Sequence, residues 1–449
     1  MNRDFTQGPI LKKLVLFMLP ILGALALQVF YGAVDLAIVG RFSTTEAASG
    51  VSVGSQIIGY ATYMVAGMAT AITVLLGQYI GEGRRKEAGD VIWNGIIFLG
   101  IVTIIFTAIF CLFPGQLLRL LNMPEAAMQE GRDYIIICGG GCIFLAAYNL
   151  FGGIFRGVGD SRTPLLTVGI ACLINIGGDL ALVWGLGLGA KGAAIATISA
   201  QAISVLLSLL ITASRSRKGI LPFTFGRENL KLRPGLLKTI VKLAIPLAFN
   251  ELLLGVSFLI LSAILNTLGV AASAAVGVAG KLAGFIMIFT SAFMQALSSF
   301  VAQNYGAGDY KRAFRSWMIG SALACALGII MCALIFLFPE FFTSIFSKDS
   351  EVISLAADFT KAYAIDAVFS AAMFCTCGYF NGCGMTNITL IQCLIGCAVR
   401  IPAAFILMNV GGGSMFITGL CIPLSTIGQL IFLLIYLRFH RPGSQTNTN

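Results

Sequence analysis

Apolar residues run along this chain in long stretches separated by short polar breaks. The stretches lie at 14–39, 48–76, 88–113, 128–153, 163–184, 190–213, 239–266, 273–303, 313–338, 352–380, 388–409 and 414–438. Each is long enough for a helix to cross a hydrocarbon core of roughly 30 Å. The pattern predicts an all-α polytopic membrane protein with twelve transmembrane helices.

The pattern also repeats. Phe155-Arg156-Gly157-Val158-Gly159 recurs as Phe380-Asn381-Gly382-Cys383-Gly384, and Gln78-Tyr79-Ile80-Gly81-Glu82-Gly83 as Gln303-Asn304-Tyr305-Gly306-Ala307-Gly308. Phe113-Pro114 recurs as Phe338-Pro339, and Pro20 as Pro246. The offset is about 225 residues throughout, the signature of an internal duplication. The longest polar stretch, 214–238, falls at the midpoint. We therefore expect an N-lobe over 1–213 (helices 1–6), a cytoplasmic linker over 214–238 and a C-lobe over 239–449 (helices 7–12). Six is even, so both halves enter the membrane from one side as parallel, pseudo-symmetric repeats. In so apolar a chain this arrangement points to a transporter with its site between two lobes.

Composition sharpens the class. The chain is 58% hydrophobic and 11% charged, with a mean hydropathy of +0.92. A soluble domain carries about 25% charged residues. Net charge is +10, but most Lys and Arg fall in loops on one side, such as Arg84, Arg85 and Lys86, then Arg215 to Lys242. That asymmetry places both termini in the cytoplasm under the positive-inside rule and argues against nucleic acid as a partner. The first apolar run is too long for a signal peptide and has no small-residue cleavage site. The twelve cysteines form no CxxC pair and read as small packing residues in helices. His440, in the tail, is the only histidine, so histidine catalysis or metal binding inside the membrane is excluded.

Four acids interrupt the apolar runs: Asp35, Asp179, Glu251 and Asp366. Intramembrane carboxylates are costly and mark functional sites by default. Gln28, Tyr31 and Asp35 share one helix face, as do Asn175 and Asp179. With Thr197 from helix 6, Asp35, Asn175 and Asp179 could supply two carboxylates, an amide oxygen and a hydroxyl to a Na+ ion or a proton. The competing reading is polar glue between helices, for which two extra carboxylates are a poor choice. In the second half Glu251 follows Asn250 and Pro246, Asp366 follows Tyr363, and Arg400 stands where the first half has Asn175. Glu251 and Asp366 are candidates for a second cation site, for substrate contact, or for a structural salt bridge with Arg400 or Lys281. Gln28, Tyr31, Glu251, Asp366 and Met287 are the candidate substrate contacts. Met287 lies in a Met- and Phe-rich stretch of the kind that repacks around apolar cations.

Pro20, Gln28 and Val34-Asp35-Leu36-Ala37-Ile38-Val39-Gly40-Arg41 resemble the first helix of the multidrug and toxic compound extrusion (MATE) transporters. The resemblance continues through Gly81-Glu82-Gly83, the Phe-x-Gly-x-Gly copies and Asn175-x-x-x-Asp179, and covers essentially all twelve helices. It implies a bacterial efflux transporter with a V-shaped pair of six-helix bundles, which exports organic cations against inward Na+ or H+ flow. It implies a cation site at Asp35, Asn175, Asp179 and Thr197, and in some members another at Glu251 and Asp366. No cofactor beyond the coupling ion is expected. The expected partners are small organic cations and the lipid bilayer, and the expected form is a monomer in the cytoplasmic membrane.

Several rivals remain in view. A flippase for lipid-linked oligosaccharide shares the lobe architecture, but its cavity should be richer in basic residues than in acids. The Gly157-Val158-Gly159-Asp160 stretch matches the GxGD of intramembrane proteases, yet Asp160 lies in a loop and its copy is Met385. Neither that protease nor an acyltransferase finds a catalytic constellation here, so the chain does not read as an enzyme. A major-facilitator transporter would carry Asp-Arg-x-Gly-Arg after its second helix, where Gly81-Glu82-Gly83-Arg84-Arg85 stands.

Overall fold

The computed structural model describes residues 4–440. The first half contains α1 (Ile10–Phe42), α2 (Thr45–Gly81), α3 (Arg85–Leu112), α4 (Pro114–Leu120), α5 (Met128–Gly140), α6 (Cys142–Gly157), α7 (Arg162–Asp179) and α8 (Gly189–Arg217). The second contains α9 (Pro234–Asn266), α10 (Val270–Gly306), α11 (Tyr310–Leu337), α12 (Pro339–Ser344), α13 (Ser350–Gly382), α14 (Thr386–Val410), α15 (Met415–Gly419) and α16 (Cys421–Phe439). Among the described residues no strand is present.

Among the described residues eleven helices are long and apolar enough to cross a membrane by themselves. A bent helix pair makes twelve when it is counted as one span. The run expected as one helix over 128–153 is two, α5 and α6, bent by 53° where they meet. Three consecutive glycines explain the break. A β-carbon on Gly139 would stand 2.6 Å from Cβ of Phe110, and one on Gly141 would strike the Ile198 side chain. Glycine permits these approaches from α3 and α8 but holds a helix weakly. The duplicate of this span, α13, is continuous, and Asp366 occupies the position that corresponds to Gly141.

Local chemistry sets the helix ends. Thr44 Oγ1 accepts from Ala47 N at 3.1 Å, and Asp349 Oδ1 from Glu351 N at 2.9 Å, each capping a helix start. The duplicated Phe-Pro pairs open α4 and α12, with proline in the first turn where no donor is lost. The second glycine of each duplicated pair turns the chain after its helix, at φ of 74–79° for Gly83, Gly159, Gly308 and Gly384.

Within each half, glycines bring helix backbones together. On α6, β-carbons at Gly153 and Gly157 would stand 3.0 Å from the Ala69 carbonyl oxygen and 2.9 Å from that of Thr73. On α13, those at Gly378 and Gly382 would stand 2.7 Å from the carbonyl oxygen of Met294 and 2.8 Å from that of Ser298. Every partner in the second set lies 225 residues after its counterpart, so the duplication preserved the contact itself.

The chain forms two compact units. One comprises Leu19–Ala248; the other takes Phe5–Met18 together with the chain from Phe249 onward. The helices α1 and α9 therefore change unit close to Pro20 and Pro246, where a missing N–H and a ring clash weaken the helix. The polar stretch 214–238 lies wholly inside the first unit. Its middle is fastened to the start of α3: Asn229 Nδ2 donates to Lys86 O and Asp90 Oδ1, both at 2.9 Å, and Arg233 pairs with Asp90 at 2.7 Å. The segment before α1 is fastened to α10 and α11 of the second unit. Arg312 Nε donates to Phe5 O at 2.9 Å, and the Phe5 ring stacks on Phe300 at 4.7 Å.

Two outcomes are expected. Asn229→Ala should remove the amide donor to buried Asp90 and lower stability by about 1–3 kcal/mol, read as a lower melting temperature in detergent. Gly157→Leu and Gly382→Leu should both reduce the folded fraction on fluorescence-detected size exclusion. Gly32→Leu, where a β-carbon meets nothing within 4 Å, should leave it unchanged.

Candidate functional site

In the first unit, α1, α7 and α8 bring four of the candidate residues together. A β-carbon on Gly178 would stand 2.9 Å from Cβ of Ala196, so α7 and α8 run close. That closeness lets Asn175 Nδ2 donate to Thr197 Oγ1 at 3.3 Å. With its amide committed to Thr197, Asn175 keeps its carbonyl oxygen as an acceptor, and that oxygen has no hydrogen-bond partner. Asp179, one turn later, is fully buried, and neither carboxylate oxygen is hydrogen-bonded. Asp35, 6% exposed on α1, leaves its Oδ1 unpartnered and lies within hydrogen-bonding reach of Asp179.

The cluster is rich in acceptors and poor in donors. Two carboxylates held together away from water repel each other, and a cation between them relieves the repulsion. Among the described residues no three His, Cys, Asp or Glu side chains converge as a metal-binding group. The oxygen set here mixes two carboxylates with an amide and a hydroxyl, the ligand chemistry of hard cations, and its carboxylates can equally hold a proton.

Asp179 also marks a change in the helix. The chain continues from it into a π-helical turn, Leu180–Gly185, where Leu186 N donates to Ala181 O at 3.0 Å. Such turns widen a helix locally and are frequent at functional sites. In the duplicate, α14 stays α-helical through the corresponding positions.

Beside the acids lies a small pocket lined by Tyr31, Tyr148, Asn175, Thr197, Gln201 and three apolar residues. Gln28 Nε2 donates to Tyr148 Oη at 2.6 Å. Gln28 and Tyr31 therefore belong to the same neighbourhood as the acids. Tyr148 and Gln201 escaped the sequence analysis. Gln201 stands one turn beyond Thr197 on α8, a spacing that could have found it. Tyr148 offered no such signal, because its helix is the bent one.

In the second unit the candidates are dispersed. Glu251 on α9 adjoins Asn250 and lies near Cys377 and Cys393. Asp366 is eleven residues before Cys377 on α13, a rise of about 16 Å, and sits near Tyr363 and Thr426 with its Oδ1 unpartnered. Met287 is half-buried on α10, a different helix from either acid. Arg400 pairs with neither acid: it donates to Ser257 Oγ at 2.9 Å and Ser425 Oγ at 3.2 Å, and stacks 4.5 Å over the Phe258 ring. Lys281 is exposed and lies over the Phe346 ring.

Asp160 is a structural cap. Its carboxylate accepts from the backbone of Arg162 and Thr163, and Arg215 pairs with it at 2.6 Å.

Comparison with known proteins agrees with this architecture. The MatE family model matches residues 20–180 and again 246–406, one match per repeat. The probable multidrug resistance protein NorM of Thermotoga maritima is 28% identical over 89% of this chain and 86% of its own length. The probable multidrug resistance protein YpnP of Bacillus subtilis is 26% identical over 89% of this chain and 88% of its own. A solved outward-facing structure of a multidrug resistance MATE family transporter of the MOP superfamily superposes with a TM-score of 0.89, at 18% identity, over 97% of this chain and 96% of that one. With both repeats matched across most of its length, this chain belongs to the MATE family of multi-pass membrane transporters and is not an enzyme.

Proposed function

We propose that the protein is a secondary active antiporter that exports organic cations across the cytoplasmic membrane by alternating access, driven by inward Na+ or H+. The observation that carries this reading is the Asp35–Asp179 pair, whose unpartnered oxygens sit beside Asn175 and Thr197. The relatives named for multidrug resistance support export of small organic compounds as the activity. They give no support to a flippase of lipid-linked oligosaccharide. Both termini then lie in the cytoplasm, and the transporter acts as a monomer.

Coupling requires that ion and cargo bind the two states unequally. Entry of the cation at Asp35 and Asp179 removes their mutual repulsion and lets α1 and α7 draw together. Cargo held by the uncompensated negative charge is then released. The soft point near Pro20 allows α1 to follow. Glu251 and Asp366 provide further negative charge for cargo or for a second cation.

The test is efflux of a fluorescent organic cation from proteoliposomes under a Na+ gradient and, separately, a pH gradient. One gradient should drive efflux, and Asp35→Asn or Asp179→Asn should lower the driven rate by about 10- to 100-fold without changing the size-exclusion profile. Unchanged driven efflux in both variants would sink the coupling site. Because Glu251 and Asp366 stand at different levels of the second unit, the defects of Glu251→Gln and Asp366→Asn should multiply in the double variant. An effect no larger than that of either single variant would instead mean one shared site.

A further inference from the structure

Arg400 on α14 stands where the first unit has Asn175, and its surroundings copy the first unit's site helix by helix. It donates to Ser257 Oγ on α9 at 2.9 Å and to Ser425 Oγ on α16 at 3.2 Å. Shifted back by the repeat, Ser257 becomes Tyr31 on α1 and Ser425 becomes Ala200 on α8. Tyr31, Asn175 and Ala200 all line the small pocket beside the acids. A neighbouring contact fixes this register. Ser204 Oγ donates to Thr167 O in the first unit, and their counterparts Gln429 and Gln392 bond to each other in the second. The Arg400 guanidinium therefore fills, in the second unit, the place that is a pocket in the first.

The charge around that place is reversed. Asp35 and Asp179 become Leu261 and Ala404, both buried and apolar. Carboxylates without a fixed cation give way to a fixed cation with no carboxylate at either position. Asp366 is near enough to feel Arg400, but it comes from α13, outside this trio of helices, and makes no ion pair with it among the described residues. Gly32, with open space around it, becomes Phe258, and the guanidinium stacks 4.5 Å over that ring. A buried guanidinium held in this way is fixed from α9 and α16 at once and repels any second cation.

We propose that Arg400 is the second unit's built-in cation: it closes the second copy of the site to the coupling ion and keeps α9, α14 and α16 fastened throughout the transport cycle. This rests on the cation site proposed above at Asp35 and Asp179, and confines the ion's action to the first unit. There α1, α7 and α8 rearrange with the ion, while their duplicates do not. A ligand drives a cycle only by favouring one state over another, and a cation tethered in the same contacts in both states favours neither.

The repeat supplies its own reporters. Cys172 on α7 lies near Tyr31, and Cys397 on α14 donates from Sγ to Leu253 O on α9 at 3.7 Å. They are counterparts, each three residues before Asn175 or Arg400. The experiment measures N-ethylmaleimide alkylation of both cysteines by peptide mass spectrometry in proteoliposomes, each rate normalised to that of the denatured chain in the same buffer. Either Na+ at fixed pH or a lower pH without Na+ should change the Cys172 rate severalfold and leave Cys397 unchanged. Arg400→Ala should raise the Cys397 rate about 10-fold and leave Cys172 as it was. Arg400→Lys, which keeps the charge but not the fork, should fall between. In the alanine variant, millimolar guanidinium ion should restore protection of Cys397, whereas urea, similar in shape but neutral, should not. A Cys397 rate that follows the cation as Cys172 does overturns the proposal, and this wild-type comparison decides even if the alanine variant does not fold. No effect of Arg400→Ala, or equal rescue by urea, overturns it too, and each of these results leaves the first-unit site standing. A Cys172 rate indifferent to both cations overturns the first-unit site and this inference with it.

Discussion

Backbone lies against backbone where α6 crosses α2, and again where α13 crosses α10. In water, apolar side chains would drive such helices together. In lipid that drive is absent, since acyl chains are as apolar as leucine, and association depends on close packing and on polar contacts. Gly153 and Gly157 provide the packing in one repeat, and Gly378 and Gly382 in the other. Of the buried carboxylates with unpartnered oxygens, Asp366 lies on one of these crossing helices, α13, while Asp35 and Asp179 lie on α1 and α7.

The duplication separates what the framework requires from what the site requires. Carbonyl partners of the close-packed glycines are conserved in position between the halves, down to the residue. The site residues are not. Asn175 corresponds to Arg400, Asp179 to Ala404 and Gly141 to Asp366. Where the first unit has an amide with a free acceptor, the second has a guanidinium satisfied by two serines and a ring. The two halves share a scaffold and carry different chemistry.

Features set by local or periodic pattern were legible in the sequence. Twelve apolar runs, the repeat, the glycine turns and the one-turn spacing of Asn175 and Asp179 all follow from residue type and position alone. What escaped depends on contacts distant in sequence. The bend at Gly141 leaves the hydropathy of 128–153 unchanged and reflects the approach of Phe110 and Ile198. The π-turn after Asp179 has no compositional mark. The stretch 214–238 reads as a cytoplasmic linker, and that it is fastened to α3 depends on Lys86 and Asp90, more than a hundred residues away. The helix α6 continues to Gly157, four residues beyond the apolar run that ends at 153. For Arg400 a salt bridge with Glu251 or Asp366 is one of the options the residues leave open, and two serine hydroxyls and an aromatic face satisfy it instead.

The change of unit within α1 and α9 bears on how the protein is made. Chain emerges from the ribosome from its N-terminus, and domains generally fold as their last residues become available. Here the first unit is not complete until Ala248 has been synthesised, beyond the end of its own repeat. The second unit needs Phe5–Met18, which emerge before any of Leu19–Ala248. The start of α1 must therefore wait, anchored by the rest of its helix, until α10 and α11 exist to receive Phe5. Phe5–Met18 are made long before the helices that receive them, and neither unit can finish folding before the other has begun.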